Sequence, residues 1–244
     1  MKILAIDSSG LVASVAVVED ERLLGEYTID HKKTHSQTLL PMIDALAQMI
    51  ELELSTVDAI AVAAGPGSFT GLRIGAATAK GLGLALEVPL IAVPTVDAMA
   101  FSLYGAGGRI CPLMDARRGQ TYTGLYRFAG DGEFEVIKEQ CAVDLSEIIS
   151  VIDESDEPVI FLGDGVPVFR DAIEDSCRAP HRYAPAGWNR QRGAAVAALG
   201  AKYFIAGCAV PAADFRPIYL RLSQAERETV VPSSGSGTWN CSTR

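Results

Sequence analysis

The sequence predicts an α/β fold made of two domains of the same topology that face each other, each with a mixed sheet. Two observations carry this prediction. A β-β-β-α-β-α-β order read along the first hundred residues recurs, more loosely, along the second. Hydrophobic residues make up 49% of the 244 residues and charged residues 21%, which allows a large core. The apolar runs stay below the roughly 18 residues of a membrane span, so no membrane association is expected.

The first half begins with three strands. Residues 2–7 alternate and end in the turn Ser8-Ser9-Gly10, residues 12–18 are rich in β-branched side chains, and residues 22–29 alternate again after an acidic turn. Residues 36–52 carry apolar residues at helical spacing, with Ser36 as the expected N-cap. The remaining elements are a strand at 57–64, a helix at 69–86 rich in small residues and a strand at 90–93.

The second half repeats this order. Its predicted elements are strands at 109–115, 121–128 and 134–142, a helix at 145–152, a strand at 159–162, a helix at 166–173 and a closing helix at 192–206. Two copies of one topology are typical of the duplicated actin, hexokinase and Hsp70 (ASKHA) group of folds. The expected domains are 1–100 and 101–222, the second including the closing helix, followed by a flexible tail at 223–244 rich in Ser and Gly.

The segment AGPGSFTGLRI, residues 64–74, joins a predicted strand to the helix at 69–86. A strand that ends in glycines and turns into a helix presents backbone N–H groups at the positive end of the helix dipole. Because Gly65 and Gly67 lack a Cβ, the turn suits either an anion or a closely approaching backbone.

The net charge of −9 argues against a chain that holds nucleic acid alone, since such chains neutralise phosphates with a basic face. If the chain serves an RNA reaction, another subunit is expected to hold the RNA. The five cysteines lack CxxC spacing and predict reduced thiols. Residues 1–7 predict a strand and not a signal peptide, so a cytoplasmic location is expected.

Several separate motifs resemble the bacterial TsaB (YeaZ) family. They are ILAIDSS at 3–9, HSQTLLP at 35–41, GPGSFTGLRIG at 65–75 and DARRGQTYTGLY at 115–126, with looser matches at FLGDG, 161–165, and RPIYLR, 216–221. The resemblance implies a non-catalytic paralogue of TsaD, the subunit that transfers threonylcarbamoyl from threonylcarbamoyl-adenylate to the adenosine beside the anticodon. It further implies a heterodimer with TsaD, association with the ATPase TsaE, and tRNA bound only through the complex.

The resemblance also locates the metal site of the paralogue, where two histidines follow the strand after the glycine-block helix. Thr95 and Met99 occupy those positions here, and neither is a usual ligand for a borderline metal. His31 and His35 have the same spacing, but the predicted helix starts only at Ser36, so they need not share a face. His181 lies in a loop. No metal ligand is assigned, and no catalytic residue.

A remnant of a nucleotide site is the second expectation. Kinases of this fold hold phosphates with two hairpin loops, and the second loop here contains two arginines instead of small residues. The candidate residues are Asp7, Ser8, Ser9, Gly65, Gly67, Arg117, Arg118, Gly163 and Gly165. No cofactor of the chain's own is expected, and ATP or ADP at the interface of the complex stays an open alternative.

Glycine and alanine are dense in the helix at 69–86, although each helical glycine costs about 1 kcal/mol relative to alanine. Small residues allow close approach by the helix at 36–52 or by a helix of another subunit. The resemblance favours a helical bundle with TsaD, and a homodimer when the chain is alone. The expected interface is Leu39, Leu40, Ile43, Leu46, Ile50, Leu72, Arg73, Ala76, Ala79, Lys80 and Leu82.

Two enzymatic alternatives stay open at this point. An ATP-dependent small-molecule kinase of the same fold predicts ATP turnover that is sensitive to Asp7→Ala. A metallopeptidase-like hydrolase predicts bound metal that is lost when His31 and His35 are replaced.

Overall fold

Two sheets with flanking helices make up the computed structural model, which describes residues 1–31 and 34–221. The first sheet contains β1 (Lys2–Asp7), β2 (Ala13–Glu19), β3 (Arg22–Ile29), β4 (Ala59–Gly65), β5 (Leu90–Pro94) and β11 (Ala209–Val210). The second contains β6 (Arg109–Asp115), β7 (Gln120–Phe128), β8 (Phe134–Asp144), β9 (Val159–Leu162) and β10 (His181–Tyr183). The helices are α1 (His35–Met49), α2 (Phe69–Leu86), α3 (Thr95–Phe101), α4 (Leu145–Ile152), α5 (Val166–Ser176) and α6 (Gly193–Ile205).

The two sheets share one strand order, which confirms the predicted duplication. The first runs β11-β5-β4-β1-β2-β3 and the second β10-β9-β6-β7-β8, so each places its first strand between its second and fourth. In both sheets the first three strands form an antiparallel meander, and the fourth pairs in parallel with the first. The chain therefore has the duplicated ASKHA-like architecture expected from the element order.

Alternating side chains of the first sheet divide its core into two layers. Leu4 and Ile6 of β1 pack in the cluster that contains the buried side chains of α1 and α2. Ile3 and Ala5 point to the opposite face, where they pack with Val196 and other residues of α6. This arrangement follows from the period of two along a strand. Both faces are covered, which explains why β1 is almost entirely apolar.

The closing helix α6 differs from its expected place in the second domain, because it packs on the first sheet. The N–H of Gly193 donates to Ser14 Oγ of β2 at 2.8 Å. Glu26 of β3 accepts a hydrogen bond from Ala194 N–H at 3.0 Å and another from Arg192 Nε at 3.1 Å. A Cβ at Gly200 would lie 2.6 Å from Ala61 Cβ of β4, so only glycine lets the helix approach this closely.

After α6 the chain returns along the first domain. Strand β11 extends the first sheet beside β5. Residues 211–221, here called the strap, then run along α2, where Lys80 Nζ donates to the carbonyl of Ala213 at 2.8 Å. The strap ends at the second domain, where Arg221 Nη1 donates to the carbonyl of Ala116 at 2.8 Å. The predicted tail at 223–244 lies outside the described residues.

The structure bears on the predicted state of the cysteines and on the search for membrane-spanning helices. Cys111, Cys141 and Cys177 are free thiols, but Cys208 is disulfide-bonded, so the prediction of reduced thiols is wrong at Cys208. In the described part of the chain, no helix combines the length and the apolar character needed to cross a membrane.

Candidate functional site

A cleft of about 590 Å³ lies between the two domains, where the carboxyl ends of β1 and β6 meet. The β1–β2 turn contributes Ser9 and Gly10, the β4–α2 turn contributes residues 66–69, and the β6–β7 turn contributes residues 115–117. Asp164 and the last four residues of the strap also line the cleft, together with Leu11, His35, Leu72, Met114, Tyr122 and Val168. Separate sequence motifs predicted most of these turns, and the fold places them around one cavity.

The β1–β2 turn is held by the buried carboxylate of Asp7. Its Oδ1 accepts hydrogen bonds from the N–H of Ser9 at 2.9 Å and from Ser9 Oγ at 2.6 Å. Burial raises the pKa of Asp7, against the opposing effect of these bonds. Asp7 Oδ2 has no hydrogen-bond partner among the described residues. The carboxylate therefore organises its own turn.

The glycine block is built for the close approach of backbone segments. A Cβ at Gly67 would overlap the carbonyl oxygen of Ser9, and one at Gly65, where φ is +121°, would overlap that of Ile218. The N–H of Ser68 donates to the carbonyl of Ser9 at 2.7 Å. The sequence allowed either an anion or a closely approaching backbone at this turn. The observed contacts are those of an approaching backbone.

Glycines further along α2 serve the same contact. Ser8 lies against the helix, its Oγ donating to the carbonyl of Gly71 at 2.9 Å. A Cβ at Gly71 would overlap the Ser8 carbonyl oxygen, and one at Gly75 would overlap Ser8 Oγ. Gly83 is similarly close to Leu90, whereas a Cβ at Gly81 would meet nothing within 4 Å among the described residues. Contacts within the chain thus explain most of the glycines of α2.

The β6–β7 turn presents two arginines from an unusual backbone. Arg117, Arg118 and Gly119 have φ of +65°, +60° and +78°. This is a left-handed conformation that non-glycine residues rarely adopt in succession. Asp115 Oδ1 accepts from the N–H of Arg117 at 2.8 Å, and Asp115 Oδ2 lies 3.1 Å from Arg117 Nη1. The side chain of Arg117 is nevertheless 82% exposed.

The Gly163-Asp164-Gly165 segment is a turn packed on β6. Gly165 N–H donates to the carbonyl of Leu113 at 2.9 Å. A Cβ at Gly163, where φ is +110°, would overlap the same oxygen. Asp164 lines the cleft, and burial raises the pKa of its carboxyl group. The glycines here meet the steric demands of the turn.

The nucleotide that the fold implies does not fit this cleft as a phosphate-bound ligand. In both hairpin turns an N–H that would face a phosphate, that of Ser9 or Arg117, donates instead to the carboxylate two residues earlier. Asp115 and Asp164 further place acidic groups on the lining. Carboxylates repel phosphate oxygens, and the two N–H groups of Ser9 and Arg117 are already bonded to carboxylates.

The histidines do not converge on a shared site. His35 is the first residue of α1, with Nε2 2.9 Å from the carbonyl oxygen of Gly10, whereas His31 is exposed before the helix. His181 Nδ1 lies 3.0 Å from the carbonyl oxygen of Ala179, in the second domain. Thr95 and Met99 are buried on α3; Thr95 Oγ1 accepts from Gly65 N–H at 3.1 Å. In residues 1–31 and 34–221, no group of three His, Cys, Asp or Glu side chains is arranged to hold a metal.

The residues expected at a partner interface occupy different depths. Six of them are buried within the chain's own core: Leu39, Ile43, Leu46, Leu72, Ala76 and Ala79. Ile50, Lys80 and Leu82 are partly buried, and Leu40 and Arg73 are exposed. The apolar spacing used to choose these residues marks the side of α1 and α2 that packs on the sheet, because that side carries the strongest periodicity.

The exposed parts of the same helices carry two large apolar residues, Met49 and Leu84, that the predicted interface does not include, besides Leu40, which it does. Met49 of α1 is 73% exposed and Leu84 of α2 is 60% exposed, while Leu40 is 54% exposed. The small residues Ala77, Gly81 and Ala85 are exposed beside them on α2. On α2 these small residues and Leu84 share one side of the helix, whereas Leu40 and Met49 lie on opposite flanks of the core stripe of α1. We call these six residues the α1/α2 outer face. A usable signal was present on α2, because Ala77, Gly81, Leu84 and Ala85 recur at helical spacing on the side opposite the core stripe.

Comparison with known proteins agrees with this architecture. Residues 22–229 match the family model described as TsaD, tRNA N6-adenosine threonylcarbamoyltransferase. The chain is 34% identical over 233 residues to the tRNA threonylcarbamoyladenosine biosynthesis protein TsaB of Bacillus subtilis, covering 94% of this chain and 98% of that protein. It is 36% identical over 129 residues to the Escherichia coli TsaB, covering 52% and 55%.

Solved structures give the same result. YeaZ from Pseudomonas aeruginosa superposes with a TM-score of 0.75 at 28% identity, covering 90% of this chain and 99% of that one. A second structure from that organism, described as similar to peptidase YEAZ, gives a TM-score of 0.76 at 26% identity. The full-length match to the Bacillus protein and the shared duplicated fold show that the chain belongs to the TsaB (YeaZ) family.

Proposed function

We propose that this chain is a non-catalytic binding and activating subunit in the biosynthesis of tRNA threonylcarbamoyladenosine. In this proposal it forms a heterodimer with TsaD, which transfers threonylcarbamoyl from threonylcarbamoyl-adenylate to the adenosine beside the anticodon. TsaE joins this complex, and tRNA is bound through the complex. The names of the relatives support the pathway, and the shape of this chain supports the role within it.

The α1/α2 outer face is the observation that carries the binding role. Leu84 exposes a large apolar side chain on α2 beside the small residues Ala77, Gly81 and Ala85, which let a neighbouring helix approach closely, and Leu40 and Met49 expose apolar side chains on α1. Exposed apolar surface of this kind, on helices whose other side is fully packed, is typical of an interface. A paralogue with the same duplicated topology would offer the matching helix pair.

The position of this face links docking to the cleft. His35, at the start of α1, and Ser68, which caps α2, both line the cleft, so the two helices begin there and run away from it. Leu40 is therefore the large outer-face residue nearest the cleft, whereas Met49 and Leu84 lie towards the far ends of their helices. Because the buried side chains of α1 and α2 pack on β1 and β4, docking also bears on the sheet that positions the β1–β2 turn.

The same face explains how self-association would compete with the heterodimer. A second copy of the chain presents an identical pair of helices, and an isologous dimer would cover the same apolar residues. We therefore expect the homodimer to dissociate when the paralogue is added, because both assemblies use one surface.

Reconstitution tests the proposal. Omitting this chain from a mixture of TsaD, TsaE, tRNA and threonylcarbamoyl-adenylate is expected to abolish modification, and retained modification would refute the activating role. Leu84→Asp is expected to weaken the heterodimer about tenfold or more, since a desolvated charge at an interface core is costly. Ile205→Asp is the matched control, because Ile205 is 78% exposed on α6. Equal affinity of the two variants would refute the assigned face.

A further inference from the structure

An arginine–aromatic surface surrounds the mouth of the cleft. It consists of Arg73 and Phe69 on α2, Tyr219 and Arg221 on the strap, and Arg117 and Arg118 on the β6–β7 turn. The parts are in contact: Arg73 Cζ lies 3.8 Å from the centre of the Phe69 ring, and the Phe69 and Tyr219 rings lie 5.1 Å apart. Arg221 Nη1 reaches the carbonyl of Ala116 at 2.8 Å, which joins the strap to the turn.

We propose that this surface contacts single-stranded RNA, with phosphates on the arginines and a base stacked at Phe69 and Tyr219. The inference rests on the proposed function, which brings tRNA to the complex, and it assigns the part of this chain that faces the RNA. It also refines the argument from net charge, because a chain of −9 concentrates four arginines around one cavity.

The charges at the cleft mouth favour an anionic ligand outside the cavity. Arg117 is 82% exposed, and Arg118 and Arg73 are exposed as well. Asp115 is already paired with Arg117, and Asp164 is recessed in the lining, where burial raises the pKa of its carboxyl group. The arginines thus face solvent while the carboxylates lie further in.

Aromatic rings between the arginines favour RNA over an acidic peptide. Unpaired bases stack on aromatic rings and on guanidinium planes, whereas an acidic peptide would use the arginines alone. Tyr219 is 38% exposed, and its hydroxyl lies 3.4 Å from Arg73 Nε. Arg73 is held by the Phe69 ring and by the Tyr219 hydroxyl, so it loses little side-chain freedom on binding.

The backbone of the β6–β7 turn indicates a role for the two arginines beyond solubility. Successive left-handed conformations at Arg117 and Arg118 are costly, and glycine or asparagine would adopt them more readily. Hairpin closure alone does not require arginine at either position. Functional sites are where such strained residues cluster.

The test measures binding of a fluorescein-labelled RNA hairpin, whose loop carries an adenosine beside the anticodon triplet, to the complex of the whole chain with TsaD, by anisotropy at about 50 mM salt. Arg117→Asn/Arg118→Asn removes both charges while keeping residues that tolerate the left-handed turn. We expect affinity to fall about tenfold or more, and the slope of log K against log salt to become shallower by about 1.4. Tyr219→Leu is expected to weaken binding by about fivefold or more through lost stacking.

Arg22→Asn/Arg182→Asn is the charge-matched control, because both arginines are exposed and neither lines the cleft. Affinity for this control is expected to stay within about twofold of the parent. Absence of RNA binding, equal weakening by both double variants, or tighter binding of poly-glutamate than of RNA would each overturn the inference. Heterodimer formation by the parent chain and by the same variants is measured separately by mass. If the parent chain forms no heterodimer, the result counts against the proposed function and not against the RNA surface.

Discussion

Replacing Gly71 by alanine tests whether the glycines of α2 are required by contacts inside the chain. A Cβ at this position would overlap the carbonyl oxygen of Ser8, well inside the 3.0 Å approach that real Cβ atoms keep. The obstacle is backbone, and Ser8 is itself buried with its hydroxyl bonded to the Gly71 carbonyl. The turn or the helix must therefore move.

The magnitude follows from two opposing effects. Alanine in place of a helical glycine gains up to about 1 kcal/mol of helix propensity. Overpacking a tightly packed site costs about 1–3 kcal/mol, and more when backbone has to shift. We expect Gly71→Ala to lower the free energy of unfolding by about 1–3 kcal/mol overall. In Gly81→Ala, where a Cβ meets nothing within 4 Å among the described residues, only the propensity gain operates.

Urea unfolding followed by circular dichroism measures both variants under one condition. Gly81→Ala is expected to be equal to the parent or more stable, and Gly71→Ala to be less stable. Two equally stabilised variants would show that the β1–β2 turn does not press on α2 as described, and the packing explanation of the glycine block would be refuted.

Two further substitutions test the charges around the first sheet. Asp7→Asn keeps an acceptor for Ser9 but cannot ionise. Since burial raises the pKa of Asp7 in the folded state, the parent loses stability as pH rises from the unfolded value of 3.8 through the folded pKa. The variant is therefore expected to be the more stable protein at pH 7, and this advantage is expected to disappear near pH 3. Urea unfolding at several pH values measures both proteins. Free energies of unfolding that do not converge at low pH would contradict the expectation. Glu26→Gln is expected to lower the free energy of unfolding by about 1–3 kcal/mol, because Arg192 loses a buried ionic partner. Thermal melting checks it against Asp20→Asn, whose exposed pair with the amino terminus should matter little.

Much of the fold and part of the site were predictable from the sequence. The duplicated β-β-β-α-β-α-β order and the bounds of α2 are confirmed, because strand alternation and helical spacing are local properties. Helix α1 ends at Met49, earlier than predicted, and begins at His35, since boundaries depend on caps more than on periodicity. The motifs at Asp7, Gly67 and Asp115 all reach the cleft region.

The sequence by itself determined which residues are apolar, where the chain turns and where glycine is needed, because each follows from side-chain chemistry or backbone freedom at one position. Only the tertiary structure decided which neighbour each of them meets. Ser8 fills the space beside Gly71, α6 joins the first sheet and not the second, and the strap brings Tyr219 beside Arg73. These contacts join residues far apart in sequence, and periodicity reports that a face is buried without specifying the surface that buries it.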